Sequence, residues 1–155
     1  MRAILLTCCA LIQASVVDAQ AVRVPPVMQP LNKAAVDKFV NLITNGSGKD
    51  IKMAVNSDVQ VGIVHRNPST RAEVVELSSK GSDVLVSQLH MLKKKINSPS
   101  SYSCSYEQYF ASCRSKIAKG KGAAIISLAT DQRGVSFVRI SYATFDEMYK
   151  AYVGK

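Results

Sequence analysis

Residues 82–120, SDVLVSQLHMLKKKINSPSSYSCSYEQYFASCRSKIAKG, decide the fold because their first half supports two secondary structures. Leu85 and Leu89 recur at a spacing of four residues, which favours a helix. Val84 and Val86 alternate with other residues, which favours a strand. Periodicity alone leaves both assignments open over residues 82–96.

The second half of this stretch contains the same conflict. Tyr106, Tyr109 and Cys113 fit one face of a helix that would run from Ser105 to Lys119. The residues just before them favour a strand, because Tyr102 and Cys104 alternate with Tyr106. A pair of strands here would extend a sheet, whereas a helix would leave only three strands in the chain.

Cys104 and Cys113 are the candidate disulfide, and they tie the question of pairing to the fold. On one straight strand the two residues would lie about 30 Å apart, and on one helix about 13 Å apart. A disulfide needs Cα atoms about 5.5 Å apart, so pairing requires the chain to reverse direction between them. The alternative of two free thiols stays open.

The first 21 residues predict a cleavable signal peptide. Arg2 precedes a run of apolar and small residues from Ala3 to Val17, and Ala19-Gln20-Ala21 has the small-x-small pattern of a cleavage site. The apolar run is too short to span a membrane. We therefore expect a secreted or periplasmic protein, in which Cys8 and Cys9 leave with the peptide and an oxidising compartment favours a disulfide.

The rest of the chain predicts a Pro-rich extended leader over residues 22–31 and a single α+β domain over residues 32–155. On the N-terminal side, Asn32 begins one helix and Ser47 with Asp50 caps a second. Alternating residues predict a strand over 58–66, and Thr70-x-x-Glu73 resembles a capping box that begins a third helix ending at Lys80.

The C-terminal side predicts a hairpin and a last helix. Residues 123–129 and 135–142 are rich in β-formers and are joined by a short turn ending in Gly134. Thr144-x-x-Glu147 is another capping box. The apolar side chains of the helix that follows, among them Tyr149 and Tyr152, are expected to dock onto the sheet.

The order helix, helix, strand, helix and later strands resembles the nuclear-transport-factor-two-like superfamily and its SnoaL-like branch. The resemblance rests on the stretch Asp50–Asp58, on the strand Val59–His65 and on Ser69–Leu77. It implies an α+β fold with a curved, mostly antiparallel sheet, N-terminal helices packed on one side and a short C-terminal helix. It also implies an apolar pocket, which enzymes of the family use for proton transfer on hydrophobic substrates.

Candidate catalytic residues are few. Asp58 and His65 lie near the two ends of the predicted strand, and an imidazole or carboxylate there could carry a proton. His90 lies between Leu89 and Met91 and is expected to be packed or exposed. The sequence contains no metal-ligand spacing, so we expect no metal site and no cofactor.

The net charge of +9 is concentrated between residues 93 and 121, where the only acid is Glu107. A cationic stretch of this kind could bind an anionic surface or glycan, or could simply be a solvated face. Export argues against an intracellular nucleic-acid partner. The candidate anion-binding residues are Lys93, Lys94, Lys95, Arg114, Lys116, Lys119 and Lys121.

Three functions follow from these observations. The principal prediction is a non-enzymatic exported protein that binds a small apolar ligand or a protein partner. The alternatives are an acid–base enzyme that uses the same pocket and a protein that binds polyanions or the cell envelope through residues 93–121. We expect no transmembrane segment, and a homodimer stays open.

Overall fold

The structure, a computed structural model, describes residues 29–96, 101–115 and 121–153. The predicted signal peptide and most of the predicted leader lie outside these residues. The elements in chain order are α1 Lys33–Asn45, α2 Gly48–Ala54, β1 Val55–Arg66, β2 Glu73–Lys80, α3 Ser82–Lys95, β3 Tyr102–Tyr106, β4 Ala111–Ser115, β5 Ala123–Asp131, β6 Gly134–Ala143 and α4 Phe145–Val153.

The six strands form one curved sheet in the order β2-β1-β6-β5-β4-β3. Strands β1 and β6 run parallel, and every other neighbouring pair is antiparallel. The predicted C-terminal hairpin is confirmed as β5 and β6, which pair from Ala123 with Ala143 to Asp131 with Gly134. The predicted class, α+β with a curved and mostly antiparallel sheet, is also confirmed.

The core lies between one face of this sheet and the first three helices. Alternate residues of β1, namely Val59, Val61 and Ile63, are buried on that face. Phe39 of α1 and Leu85 of α3 pack into the same cluster and are fully buried. Burying a side chain of this size contributes about 1.5–3 kcal/mol, so this layer contact holds the helices on the sheet.

Helices α1 and α2 begin as their cap residues predict. The Asn32 side chain accepts a hydrogen bond from the backbone N–H of Ala35. Ser47 and Asp50 form a reciprocal capping box, in which each side chain accepts from the backbone N–H of the other residue. Both pairs satisfy N–H groups that the first helical turn leaves without partners.

The prediction of a third helix over Thr70–Lys80 is wrong, because Glu73–Lys80 is strand β2. The side chain of Asn67 accepts hydrogen bonds from the backbone N–H groups of Ser69 and Thr70, which makes a turn instead of a helix start. Arg71 continues the turn with a φ of 59°. The chain then returns alongside β1, with Glu73 opposite Arg66.

Residues 82–120 combine the two assignments that the sequence left open. Residues 82–95 form helix α3, whose buried face contains Leu85 and Leu89. Tyr102–Tyr106 is a strand, as the alternation indicates, and the helical alternative from Ser105 is wrong for the residues that the structure describes up to 115. Since β2 adds a strand that the sequence analysis had assigned to a helix, the sheet is complete although residues 82–95 are helical.

The chain reverses between Cys104 and Cys113, as pairing requires. The turn is closed by the backbone N–H of Glu107, which donates to the carbonyl of Phe110 at 2.8 Å. The two cysteines are directly opposite each other on β3 and β4, with Cα atoms 4.0 Å apart, and a disulfide joins them.

Helix α4 begins at the predicted capping box but does not dock as predicted. The backbone N–H of Thr144 donates to the Glu147 carboxylate at 2.9 Å. None of the residues of α4 is buried, and Tyr149 and Tyr152 are 58% and 86% exposed. The core on the sheet contains residues of α1, α2 and α3 but none of α4. Among the described helices, none is long and apolar enough to cross a membrane.

Candidate ligand-binding site

A cavity of about 360 Å³ lies between α3 and the sheet, and we call it the helix-side cavity. Its apolar wall comes from the core side of β1 and β2 and from the last two turns of α3. Its polar groups come from β2, α3 and β6. The lining residues are Ile63, Glu76, Leu77, Gln88, Met91, Leu92, Lys95 and Tyr142.

Three of these residues form a hydrogen-bonded group, which we call the Glu76–Lys95–Tyr142 cluster. The Tyr142 hydroxyl donates to Glu76 Oε1 at 2.6 Å. The Lys95 ammonium donates to the Tyr142 oxygen at 2.7 Å and to both Glu76 oxygens at 3.1 and 3.2 Å. Because each residue contacts the other two, the cluster fixes the polar side of the cavity.

A β-bulge places Glu76 in this cluster. On β1 the register advances by one residue from Ile63 to Val64, while on β2 the partners pass from Leu77 to Val75. Glu76 is therefore an extra residue, and such a residue leaves the regular alternation of the strand. Glu76 consequently lines the same cavity as its neighbour Leu77.

Regular structure places the other two members. Lys95 is in the last turn of α3, where a cation is stabilised by the helix dipole. Tyr142 lies two residues after buried Ile140 on β6, so its ring is directed to the same face of the sheet.

In this cluster the pKa values of all three titratable groups are shifted further away from pH 7. Burial opposes ionisation of Glu76, but hydrogen bonds from Tyr142 and Lys95 outweigh it and hold the pKa of Glu76 below its ordinary value. The pKa of Lys95 is raised, chiefly through its hydrogen bond with Tyr142. Burial, and then the hydrogen bond to Glu76, raise the pKa of the Tyr142 phenol. At pH 7 the cluster is thus a carboxylate, an ammonium and a neutral phenol.

His65, a predicted catalytic candidate, lies beside Tyr142 of this cluster. Its ring centroid is 5.2 Å from that of Tyr142, and its Nε2 is 2.7 Å from Glu147 Oε1. Burial opposes ionisation of Glu147, but hydrogen bonds from His65 and Thr144 lower the pKa of Glu147 to about 2. His65 is not among the residues that line the helix-side cavity, and its imidazole is engaged with α4.

Asp58, the other catalytic candidate, lies on the opposite face of the sheet. It alternates with buried Val59 and lines a groove of about 690 Å³, the outer groove, together with the Phe137 ring. Its carboxylate is 3.3 Å from Arg133, and its side chain is 64% exposed. An exposed ion pair of this kind contributes little to stability. The structure therefore does not bring Asp58 and His65 together.

The predicted anion-binding residues are spread over several elements. Lys93, Lys94 and Lys95 end α3, which packs on β1 and β2, whereas Arg114 is exposed on β4, three strands away from β1. Lys95 is committed to the Glu76–Lys95–Tyr142 cluster. Lys121 precedes β5, and Lys116 and Lys119 lie outside the described residues.

Other polar candidates add nothing to the site. His90 is exposed on α3 and does not line the helix-side cavity. Within residues 29–96, 101–115 and 121–153, no group of three or more His, Cys, Asp or Glu side chains is arranged to hold a metal ion.

The sequence does not predict the cluster, because each member belongs to a different local pattern. Glu76 lies in the predicted third helix, Lys95 in the basic stretch and Tyr142 in the predicted hairpin. The β-branched pair Val74-Val75 just before Glu76 is the one local signal that favoured a strand there.

Comparison with known proteins agrees with this architecture. No family model and no curated protein sequence matches the chain. Among solved structures, an NTF2-like protein from Burkholderia xenovorans LB400 is similar, with a TM-score of 0.50, 11% identity and 75% of this chain covering 92% of that one. A protein with a cystatin-like fold from Silicibacter pomeroyi DSS-3 has a TM-score of 0.52, with 10% identity and coverage of 77% and 80%.

A third similar structure is a de novo designed protein with a curved β-sheet, at a TM-score of 0.50, 13% identity and coverage of 70% and 81%. At such identities these likenesses concern the fold alone. The chain has the nuclear-transport-factor-two-like fold that the sequence resemblance predicted.

Proposed function

We propose that this protein binds a small, largely apolar molecule in the helix-side cavity and that it works as a binding protein. The observation that carries the proposal is the combination of an apolar wall with one compact polar cluster. A volume of about 360 Å³ falls within the range of roughly 300–1,000 Å³ that small-molecule sites occupy. The apolar wall supplies affinity, and the cluster orients the polar end of the ligand.

Charge states in the cavity favour binding over acid–base catalysis. A general base or acid works best when its pKa lies near the operating pH. In the helix-side cavity the pKa of Glu76 is lowered and those of Lys95 and Tyr142 are raised, so all three move away from that range. This pattern suits a fixed polar surface better than proton transfer.

The proposed site of action is outside the cytoplasm, in a secreted or periplasmic protein. This part rests on the sequence of residues 1–21, which has the composition of a signal peptide. Binding of polyanions has weaker support, because Lys95 is paired with Glu76 and Arg114 lies on β4, apart from Lys93 and Lys94 at the end of α3.

The test fills the cavity from α3. Gln88 lines the cavity, so Gln88→Trp is expected to place an indole in the space that the ligand would use. The probe is N-phenyl-1-naphthylamine, an uncharged apolar fluorophore, and its fluorescence increase is titrated with the full chain. We expect the Kd to rise by about tenfold or more in the variant, since the lost apolar contact exceeds 1.4 kcal/mol.

His90→Trp is the matched control, because it adds the same indole to an exposed position of α3 that does not line the cavity. Its Kd is expected to stay at the wild-type value. Saturable binding that Gln88→Trp leaves unchanged, or the absence of binding to the wild-type chain, would contradict the proposed function.

A further inference from the structure

The hydrogen bonds of the Glu76–Lys95–Tyr142 cluster use every donor that the cluster possesses. An ammonium has three N–H groups. Lys95 Nζ has three acceptors within reach, namely Oε1 and Oε2 of Glu76 and the hydroxyl oxygen of Tyr142. The single O–H of Tyr142 is donated to Glu76. The lysine is therefore not available to receive an anion unless it abandons these partners.

On the Glu76 carboxylate, the same count leaves one lone-pair site unused. A carboxylate offers about four lone-pair sites, two on each oxygen. On Glu76, Oε1 accepts from both Tyr142 and Lys95, while Oε2 accepts from Lys95 alone. Glu76 Oε2 thus retains capacity for one further donor, and Glu76 lines the cavity.

The net charge of the cavity lining and its fourth polar residue also indicate which ligand group fits beside Glu76. Glu76 and Lys95 cancel, so an anionic ligand would lose its hydration without meeting a net positive charge. The fourth polar residue of the lining, Gln88, has an amide that can donate to a hydroxyl oxygen. A hydroxyl group can therefore donate to Glu76 and accept from Gln88, which a carboxylate cannot do.

We infer that the ligand of the helix-side cavity presents an uncharged hydroxyl, as a phenol or alcohol, and that Glu76 accepts its proton in a hydrogen bond. This inference rests on the proposed binding function and adds the ligand class. Three consecutive lysines alone would predict a site for carboxylates or phosphates, and the hydrogen bonds of the cluster predict a different ligand.

The experiment compares three ligands with the same apolar body by calorimetry at pH 7. 4-Pentylphenol carries the O–H donor, 4-pentylanisole replaces it with a methyl ether, and 4-pentylbenzoate carries a negative charge. Ordinary values near 10 for a phenol and near 4 for a carboxyl group leave the first neutral and the last ionised. We expect the phenol to bind about tenfold more tightly than the other two, the effect of one hydrogen bond to a charged group.

Glu76→Gln adds a second readout on the protein side. The amide retains the size of the carboxylate but not its charge, so the preference for phenol over anisole is expected to fall by about tenfold. Thermal unfolding of the variant checks that it is folded. The wild-type comparison does not depend on the variant and is decisive alone.

The outcomes separate this inference from the function beneath it. Benzoate that binds as tightly as the phenol, or anisole that matches it, overturns the hydroxyl assignment while cavity binding stands. If none of the three binds, or if Gln88→Trp leaves all three affinities unchanged, the binding function itself fails.

Discussion

Glu147 uses one carboxylate oxygen to cap helix α4 and the other to join it to the sheet. Its Oε2 accepts from the backbone N–H and the hydroxyl of Thr144, at 2.9 and 2.8 Å. Its Oε1 lies 2.7 Å from His65 Nε2 at the end of β1. These partners hold the pKa of Glu147 at about 2 although burial opposes ionisation. The charged form of this one residue therefore supports the folded state.

Replacing Glu147 with Gln should reveal that support as a pH-dependent loss of stability. The folded pKa, about 2, is below the ordinary value of 4.5, so the contribution is fully present above pH 4.5 and is lost as the pH falls toward 2. We expect Glu147→Gln to lower the free energy of unfolding by about 1 kcal/mol at pH 6, a modest figure because the site is partly solvated. Urea unfolding at pH 6 and at pH 2 measures the difference, which should be much smaller at the lower pH, where about half of the folded molecules have a protonated Glu147.

Asp146→Asn is the control for this change, because it removes a charge from the same helical turn. Among the described residues, the Asp146 side chain has no ion pair or hydrogen bond, so its substitution should leave the stability within about 0.5 kcal/mol. A loss that is equal in the two variants, or a loss in Glu147→Gln that is as large at pH 2 as at pH 6, would count against the role assigned to Glu147.

At the level of elements, cap residues and turn residues predicted the helices and strands whose structure depends only on neighbours in the sequence. The Asn32 cap, the Ser47 capping box and the β5–β6 hairpin form as their sequences indicate. Thr70-x-x-Glu73 has the sequence of a capping box but does not begin a helix. The Asn67 side chain accepts hydrogen bonds from the backbone N–H groups of Ser69 and Thr70 and forms a turn there instead. Two local patterns compete there, and the sequence does not show which one prevails.

For helix α4, the amphipathic pattern predicts the helix correctly but predicts its packing onto the sheet wrongly. A hydrophobic stripe indicates that a helix can dock, whereas docking also needs a free surface. Helices α1, α2 and α3 contribute residues to the core on the sheet, and α4 contributes none. Long-range packing of this kind is absent from the local sequence.

Helix α4 should therefore open far more readily than the helices of the core. It has no buried residue, and stability within a fold follows buried contacts. We expect the amides of Met148–Val153 to exchange with solvent at least about a hundredfold faster than those around Phe39 in α1, which is fully buried. Hydrogen exchange followed by NMR or mass spectrometry measures both helices in one sample.

His65→Ala gives the matched perturbation for this prediction. It removes the partner of Glu147 on β1 and should accelerate exchange in α4 while leaving α1 unchanged. Protection of α4 equal to that of α1 would show that the helix is held by contacts beyond those between the described residues.

For the whole molecule, the resemblance predicted the fold although one element of the predicted order was wrong, since Glu73–Lys80 is strand β2 and not a helix. The site, in contrast, joins residues that lie far apart in the sequence. Tyr142 is 66 residues from Glu76 and 47 residues from Lys95. The parallel pairing of β1 with β6, the bulge in β2 and the packing of α3 on β1 and β2 bring the three together. The strand pairing and the bulge have no signature in the residues themselves, and for that reason the cavity was predicted from resemblance while its polar cluster was not.

Export of the protein is a prediction that two changes in mass can test, namely cleavage of the leader and formation of the disulfide. When the full chain is expressed in a secreting host, we expect a product that lacks the first 19 or 21 residues, consistent with cleavage near Gln20 or Val22. Its mass should also be lower by two hydrogens because Cys104 and Cys113 pair. Closing a loop of this length stabilises a fold by about 3 kcal/mol, so reduction should lower the free energy of unfolding by that order.

Intact mass spectrometry with and without thiol alkylation reads both events. Leu5→Arg places a charge in the apolar run of the leader and should leave a full-length, alkylatable chain, whereas Leu5→Ile keeps the run apolar and should behave as the wild type. An uncleaved wild-type product would overturn the export prediction. A cleaved product with two free thiols would instead leave export intact and remove the disulfide, because cleavage and oxidation are recorded as separate changes in mass.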